Sequence, residues 1–450
     1  MRSPHRLQKP VTTLGAAPPT PAIALGTVAP NAKPASAPPA PARGLRSRIV
    51  LYSHDTMGLG HKRRNLLIAQ ALGSAGLEVD VLLISGMGDA NAMAVPDGVD
   101  TLTLPALYKN ADGQYAARRL NLELQEIVQL RSQLILAAVK NFRPNVLIVD
   151  NVPRGAVREL DATLEYLRRR STRCILGLRD VLDTPATVRR DWKRAENVAA
   201  IRRYYDTVWI YGDPAIYDPR REYRFPADIT EKMRPLGYLD CRDRAKHVDA
   251  AARAQIQQLG LPSMDQACPK GNCELVLCQV GGGQDGATLA EAFAQAIFPA
   301  NTTGILLTGP FMPVEAQQRL QALAQANPRL RLVGYLAEPT LLLERASRVV
   351  AMGGYNTTCE ILAYQKPALV VPRITPRQEQ WIRADRLCRQ GLIDMLHPTQ
   401  LSPQTLTQWL HQPIAAATER PAVNLSGLDN LVADLKKFLI APALPALQAS

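Results

Sequence analysis

Long apolar runs are missing from this chain, and no stretch could carry a helix across a bilayer. Aromatic residues are scarce, at 5%. The seven cysteines are odd in number and scattered through 450 residues, which excludes the disulfide framework of a small secreted domain. Cys268, Cys273 and Cys278 are evenly spaced, but the first two fall in a Pro/Gly-rich loop. The third falls in the apolar run Leu275–Val280, and no histidine is near. They read as reduced thiols in a reducing cytosol, not as a metal site. Zinc-finger spacing and basic helices interleaved with aromatics are also absent, which argues against a nucleic-acid partner. Acidic residues are missing from residues 1–45, where Arg2, Arg6, Lys9, Lys33 and Arg43 supply five of the +13 net charges.

What remains is a globular composition, 46% hydrophobic and 21% charged, in a chain long enough for two domains and extra material. The basic surplus favours anionic partners such as phosphates or lipid headgroups without choosing among them. Residues 1–45 hold ten prolines among Ala, Thr and Ser, and read as a disordered or partly polyproline leader. Its prolines break any h-region, which argues against a secretory signal. An organelle transit peptide, a membrane-surface tether and an unspecific tail remain the readings of this leader.

Order begins at Arg48. Strands read at Ile49–Ser53, Val79–Ser85, Thr101–Leu104, Val146–Asp150, Cys174–Leu178 and Val208–Tyr211. Helices read at Arg63–Ala75, Leu120–Asn141 and Gly155–Arg170. Strand, helix and strand in this spacing give right-handed βαβ units on a parallel sheet. A break follows Gly237-Tyr238-Leu239, then a polar helix over Asp240–Gly260 and a loop over Leu261–Asn272. A second series starts with strand Glu274–Val280 and helix Ala287–Gln295, then strand Thr303–Leu307 and helix Pro313–Ala326. Strand Leu330–Val333, helix Pro339–Ala346, strand Arg348–Ala351 and helix Asn356–Tyr364 come next, followed by strand Ala368–Val371 and helix Gln378–Gln390. Leu428–Leu439 reads as a closing helix. The expected class is α/β, with two Rossmann-like doubly wound domains facing a cleft that binds ligand at the strands' carboxyl ends. The expected division is leader 1–45, first domain 46–239, linker 240–273, second domain 274–425, and closing helix with tail 426–450.

Three strand-to-helix turns carry candidate chemistry. In the first, Ser53-His54-Asp55-Thr56-Met57-Gly58-Leu59-Gly60-His61, Gly58 and Gly60 let backbone approach a ligand. His61 opens the helix, where the dipole favours the neutral imidazole able to take a proton. The alternative is a tight turn with a surface histidine. In the second, Gly281, Gly282 and Gly283 follow a strand and make room for a phosphate or sugar, or else form a flexible connection. The P-loop lysine and the full dinucleotide glycine spacing are both missing there. In the third, Met352-Gly353-Gly354-Tyr355-Asn356-Thr357-Thr358-Cys359-Glu360, the glycines make the turn. Asn356, Thr357 or Thr358 can cap the helix and bond a pyrophosphate. Glu360, one turn on, can accept from a ribose diol across the same cleft, unless it is a glutamate on a solvated face.

Together these turns resemble the GT-B glycosyltransferases, in particular the branch of the peptidoglycan lipid-intermediate N-acetylglucosaminyltransferase and the monogalactosyldiacylglycerol synthases. The resemblance covers most of residues 48–440 and is strongest over Gly334–Gly391. It implies that Gly58–His61 opens the acceptor domain, that Gly281–Gly286 opens the donor domain, and that Gly353–Glu360 holds the nucleotide phosphates and ribose. Gly334-Tyr335-Leu336 resembles the loop lining the nucleobase. Pro372 and Gln378-Glu379-Gln380-Trp381 resemble the segment that reads the sugar. There Glu379 and Gln380 stand for the commoner amide pair, and the acid leaves the sugar's identity open. The implied reaction is a single inverting displacement from a UDP-sugar to a hydroxyl acceptor, lipid-linked or a cell-envelope or polysaccharide precursor. No metal or other cofactor is expected, because helix N-termini and arginines such as Arg373 and Arg377 meet the leaving charge.

His61, Asp55 and Asp150 are the candidate bases. Arg179-Asp180 ends another strand on the same edge. Arg118, Arg119, Arg168, Arg169 and Arg170 could meet anionic lipid, consistent with a cytoplasmic protein peripheral to a membrane. A sugar-nucleotide 2-epimerase and a non-catalytic nucleotide-sugar-binding protein are the alternative functions.

Overall fold

Two parallel sheets organise the protein, and their central strands are apolar on both faces because helices cover both. The computed structural model describes residues 46–55, 60–86, 95–109, 114–248, 250–261, 274–336, 338–414 and 421–440. The leader, Gly58, the loop with Cys268 and Cys273, and the last ten residues lie outside them.

The first sheet contains β1 (Ser47–Ser53), β2 (Val79–Ser85) and β3 (Val99–Thr103). A short antiparallel pair follows, β4 (Leu107–Lys109) and β5 (Tyr115–Ala117). The sheet continues with β6 (Val146–Asp150), β7 (Arg173–Arg179), β8 (Thr207–Tyr211) and β9 (Met233–Gly237), in the order β3-β2-β1-β6-β7-β8-β9. The second contains β10 (Glu274–Gln279), β11 (Thr302–Leu307), β12 (Leu330–Val333), β13 (Arg348–Ala351), β14 (Ala368–Val370) and β15 (Asp394–Met395). Its order is β12-β11-β10-β13-β14-β15. The expected pair of doubly wound sheets is thus observed.

Both orders reverse beside their first strand. The switch lies between β1 and β6, paired Tyr52↔Val149, and between β10 and β13, paired Gln279↔Ala351. At such a point the connections leave to opposite faces and open a crevice at the carboxyl ends. Ile49, Leu51, Val146 and Ile148 fill the first core, and Val276, Cys278, Leu306 and Val350 the second. The helix Gly427–Ile440 returns to the first sheet, where Trp209 Nε1 donates to Asp434 at 2.7 Å and Asn430 donates to the Leu236 carbonyl at 2.8 Å. Among the described residues, no helix is long and apolar enough to cross a membrane.

Several local expectations need correction. The single helix over Gly155–Arg170 is a 3₁₀ turn, Ala156–Arg158, followed by helix Asp161–Arg168. The chain turns through positive φ at Gly155, Val157 and Arg158, and Glu159 is buried against Arg131 and Tyr52. The polar helix over Asp240–Gly260 is likewise divided, into a 3₁₀ segment Arg242–His247 and helix Ala250–Gln257. Just before the break read after Leu239, β9 ends at Gly237, and the buried Tyr238 hydroxyl donates to Asp180 at 3.0 Å. Arg118 and Arg119 lie in a bend after β5. Helices Pro185–Arg194 and Pro403–Leu410 were not expected, although Thr184-Pro185 and Ser402-Pro403 are N-cap and N1 signals, and both caps form.

Candidate functional site

The two switch points face each other across a cavity of about 290 Å³. On the first side, β1 feeds helix Gly60–Ser74, which carries His61 in its first turn, while β6 ends at Asp150. Adjacency of β1 and β6 brings these residues together although 89 positions separate them, and His61 Nδ1 lies 2.5 Å from Asp150 Oδ2. Arg64, one turn along the same helix, grips the same carboxylate at 2.6 and 2.8 Å through Nη2 and 3.0 Å through Nε. Burial opposes the charge on Asp150, but Arg64 and His61 outweigh it and hold the carboxyl well below the usual range. Asp150 is therefore a permanently ionised acceptor with its lone pairs engaged. It fixes the Nδ1 proton of His61 and leaves Nε2 as an acceptor. The His61 side chain is 18% exposed and lines the cavity, whereas Asp150 is 2% exposed and sits behind it.

Of the three candidate bases, only His61 reaches the cavity. Asp55 is buried and accepts from Ser85 Oγ at 2.7 Å, from the Lys62 backbone N–H at 3.1 Å and from Ser53 Oγ. It ties the turn down beneath the helix start. This is a correction to its expected catalytic place.

Backbone makes most of the second side. After β10, Gly281 and Gly282 line the cavity, while Gly283 turns away from it. A Cβ on Gly283 would overlap the Thr308 carbonyl and sit 2.9 Å from the Met312 nitrogen, so this glycine is required by packing. A Cβ on Gly281 would meet nothing within 4 Å. After β13, Gly353 takes φ +79° and Gly354 starts helix Tyr355–Ala363. No side chain caps that start, and Gly354, Tyr355, Asn356 and Thr357 line the cavity. The open first turn offers backbone N–H groups and the positive end of the helix dipole to an anion.

The expected capping does not occur. Asn356 instead donates to the Gly60 carbonyl of the opposite side at 2.9 Å, and Thr358 is buried beneath the turn. Glu360 does not line the cavity. It is buried and accepts from Arg244 at 3.2 Å, and burial raises its carboxyl above the usual range despite Arg244 and Arg63. Tyr335 and Leu336 line the cavity as expected, with the Tyr335 hydroxyl enclosed and unpartnered.

Arg373, Glu379 and Gln380 close the cavity. Arg373 donates to Glu379 Oε1 at 2.7 Å and to Asp285 at 2.9 Å, and its backbone N–H donates to Gln380 Oε1 at 3.0 Å. Burial disfavours the Glu379 charge, but Arg179 and Arg373 outweigh it and keep the carboxyl below its usual value. Arg377 lies outside this group, beside Asp183 at 3.4 Å. The lining also includes Arg179, read from the sequence as ending a strand on this edge, and Arg63, Arg64 and Gln279, which were not singled out. Lys62, Arg63 and Arg64 follow His61, and that cationic run at a helix start was the available signal.

The two sides are fastened beside the cavity. Arg383 donates to Asp180 at 2.6, 3.0 and 3.0 Å in a fully buried pair, and Arg386 meets Glu222 at 2.7 Å. The Tyr355 ring lies between the Arg64 and Arg383 guanidiniums, 5.3 and 5.5 Å from its centre.

Comparison with known proteins bears on this geometry. Residues 276–424 match the family described as the glycosyltransferase family 28 C-terminal domain. A curated relative from Streptococcus uberis is the UDP-N-acetylglucosamine–N-acetylmuramyl-(pentapeptide) pyrophosphoryl-undecaprenol N-acetylglucosamine transferase. It is 28% identical over 169 residues, which are 37% of this chain and 45% of the relative, so the match spans less than half of that protein. Among solved structures, the calicheamicin glycosyltransferase CalG4 superposes with a TM-score of 0.55 at 14% identity, over 88% of this chain and 100% of its own. The UDP-GlcNAc 2-epimerase of Neisseria meningitidis, bound to UDP-GlcNAc, gives 0.55 at 13%, again over 88% and 100%. At such identities the likeness is one of fold. Residues 276–424 are therefore similar to the glycosyltransferase family 28 C-terminal domain, in a chain with the two-sheet GT-B fold.

Proposed function

We propose that the protein is an inverting, metal-independent glycosyltransferase that moves a sugar from a UDP-sugar to a hydroxyl acceptor. One observation carries this reading: a histidine held by a buried carboxylate faces an uncapped helix N-terminus across one cavity. The nucleoside diphosphate lies along Gly281, Gly282 and the helix start at Gly354, with its base against Tyr335 and Leu336. Glu379 and Gln380 read the sugar.

An acceptor hydroxyl on His61 Nε2 gives its proton to that nitrogen while its oxygen bonds to the anomeric carbon. The bond from that carbon to the β-phosphate oxygen breaks, and the diphosphate departs with the electron pair. Attack opposite the leaving group inverts the anomeric centre. Asp150 stabilises the imidazolium that forms, as a buried carboxylate does for a catalytic histidine. Helix N–H groups and arginines stabilise the charge growing on the diphosphate. The pyrophosphoryl-undecaprenol acceptor of the Streptococcus relative favours an acceptor carried on a lipid pyrophosphate, and such an acceptor would be met at a membrane surface by a cytoplasmic protein.

The test is UDP release from UDP-sugars, measured with and without lipid-linked and soluble hydroxyl acceptors. Acceptor-dependent release with an inverted product is expected. Conversion of the donor to an isomeric sugar without any acceptor would establish the epimerase instead, and nucleotide binding without turnover would leave a binding protein.

A further inference from the structure

Four arginines among the described residues line the cavity, and three have carboxylates to answer them. Arg64 is held by Asp150, and Arg373 by Glu379 and Asp285. Arg63 shares the field of Glu338 and Glu360 with Arg244. Arg179 is the exception among them. Its Nε is sealed from solvent with no hydrogen-bond partner, and among the described residues no carboxylate lies within ion-pair distance of it. Glu379 is its strongest opposing charge, yet that residue's Oε1 is taken by Arg373.

A guanidinium with a sealed, unbonded Nε and no carboxylate in direct contact is costly, because its desolvation is only partly returned by the more distant Glu379. Burial accordingly pushes Arg179 down to about 10. Its place in the fold says what the charge is for. Arg179 ends β7, and β7 pairs with β6 through Gly177↔Asp150, so the side chain leaves the same sheet edge as the Asp150 carboxylate. It lines the cavity opposite the glycines and the uncapped helix start of the second sheet.

We propose that Arg179 is the first half's own ligand for the donor's diphosphate, so that an oxyanion cradled by backbone on one side is neutralised by a guanidinium from the other. This rests on the nucleotide-sugar reading above and extends it. The leaving group is gripped by both halves, and its charge completes an ion pair that the protein alone leaves open. A carboxylate on the donor sugar could present similar chemistry, and the choice of probes separates the two.

Arg179→Met and Arg179→Lys are compared with the wild type by calorimetric titration with UDP, uridine and UDP-glucuronate, and by thermal unfolding without ligand. Loss of a charge-assisted contact should weaken UDP binding by about 10- to 100-fold in Arg179→Met, with partial recovery in Arg179→Lys. Uridine affinity should not change, and the ligand-free melting temperature of Arg179→Met should equal or exceed that of the wild type. Unchanged UDP affinity in Arg179→Met would overturn the assignment. So would a loss confined to UDP-glucuronate, or equal losses for UDP and uridine together with a fall in melting temperature. If wild type itself binds no UDP, the nucleotide-sugar reading fails and this inference falls with it. If wild type binds and Arg179→Met binds equally, only the role of Arg179 fails.

Discussion

The two edges of the cleft solve different problems with different materials. The first is made of charged side chains: His61 on Asp150, Asp150 on Arg64, and Asp180 on Arg383. The second is made largely of backbone: Gly281, Gly282, Gly354 and the open turn at Tyr355–Thr357. A group that moves a proton needs a titratable ring in a fixed orientation, which takes buried ion pairs. A group that holds an oxyanion needs converging N–H donors, which takes chain that can come close, hence glycine. On the proposed reading, the same switch-point geometry therefore carries opposite chemistry in its two copies.

The sharpest way to break this contrast is His61→Ala. Turnover should fall by about 10²- to 10⁴-fold with UDP affinity unchanged, read from steady-state rates and calorimetry. Equal loss of both would mean that the first edge also holds the nucleotide.

Asp150→Asn should come next, by leaving Arg64 buried without its anion at a cost of about 3–5 kcal/mol in denaturant unfolding. The sign with pH follows from the depressed native carboxyl. Its contribution is present above the unfolded value of about 3.9 and is lost as pH falls through the lower native value, so wild type should weaken on acidification below about pH 4. The variant should show a shallower acid limb, and parallel curves would remove Asp150 from that role.

A smaller effect sharpens the second edge. Gly283→Ala should cost about 1–3 kcal/mol in unfolding stability, since its Cβ meets the Thr308 carbonyl. Gly354→Ala has open space in the protein alone, so its melting temperature should hold while UDP affinity drops by about 10-fold. The reverse pattern would place the anion at Gly283.

Much of this was legible without coordinates. β2, β6, β12 and β13 were read to the residue, because a parallel strand covered on both faces is a short apolar run bounded by turn signals. The glycine turns marked both carboxyl edges for a similar reason: a strand ending in glycines before a helix is a local pattern. The divided helix at Gly155 was not legible, since the burial of Glu159 against Arg131 and Tyr52 spans positions far apart in the chain. Glu360 also misled. A residue one turn from Asn356 shares its helix, but whether it faces the cavity or Arg244 depends on what packs behind.

The sequence by itself determined the two parallel sheets, their central strands and the sites of close backbone approach, because periodicity and turn chemistry act over a few residues. Tertiary structure alone decided which carboxylate belongs to which base. His61, Asp55 and Asp150 were equals as letters. Pairing β1 with β6 buried two of the three carboxylate and imidazole groups and left one at the cavity, since only strand adjacency sets distance and only burial sets which charge is already spent.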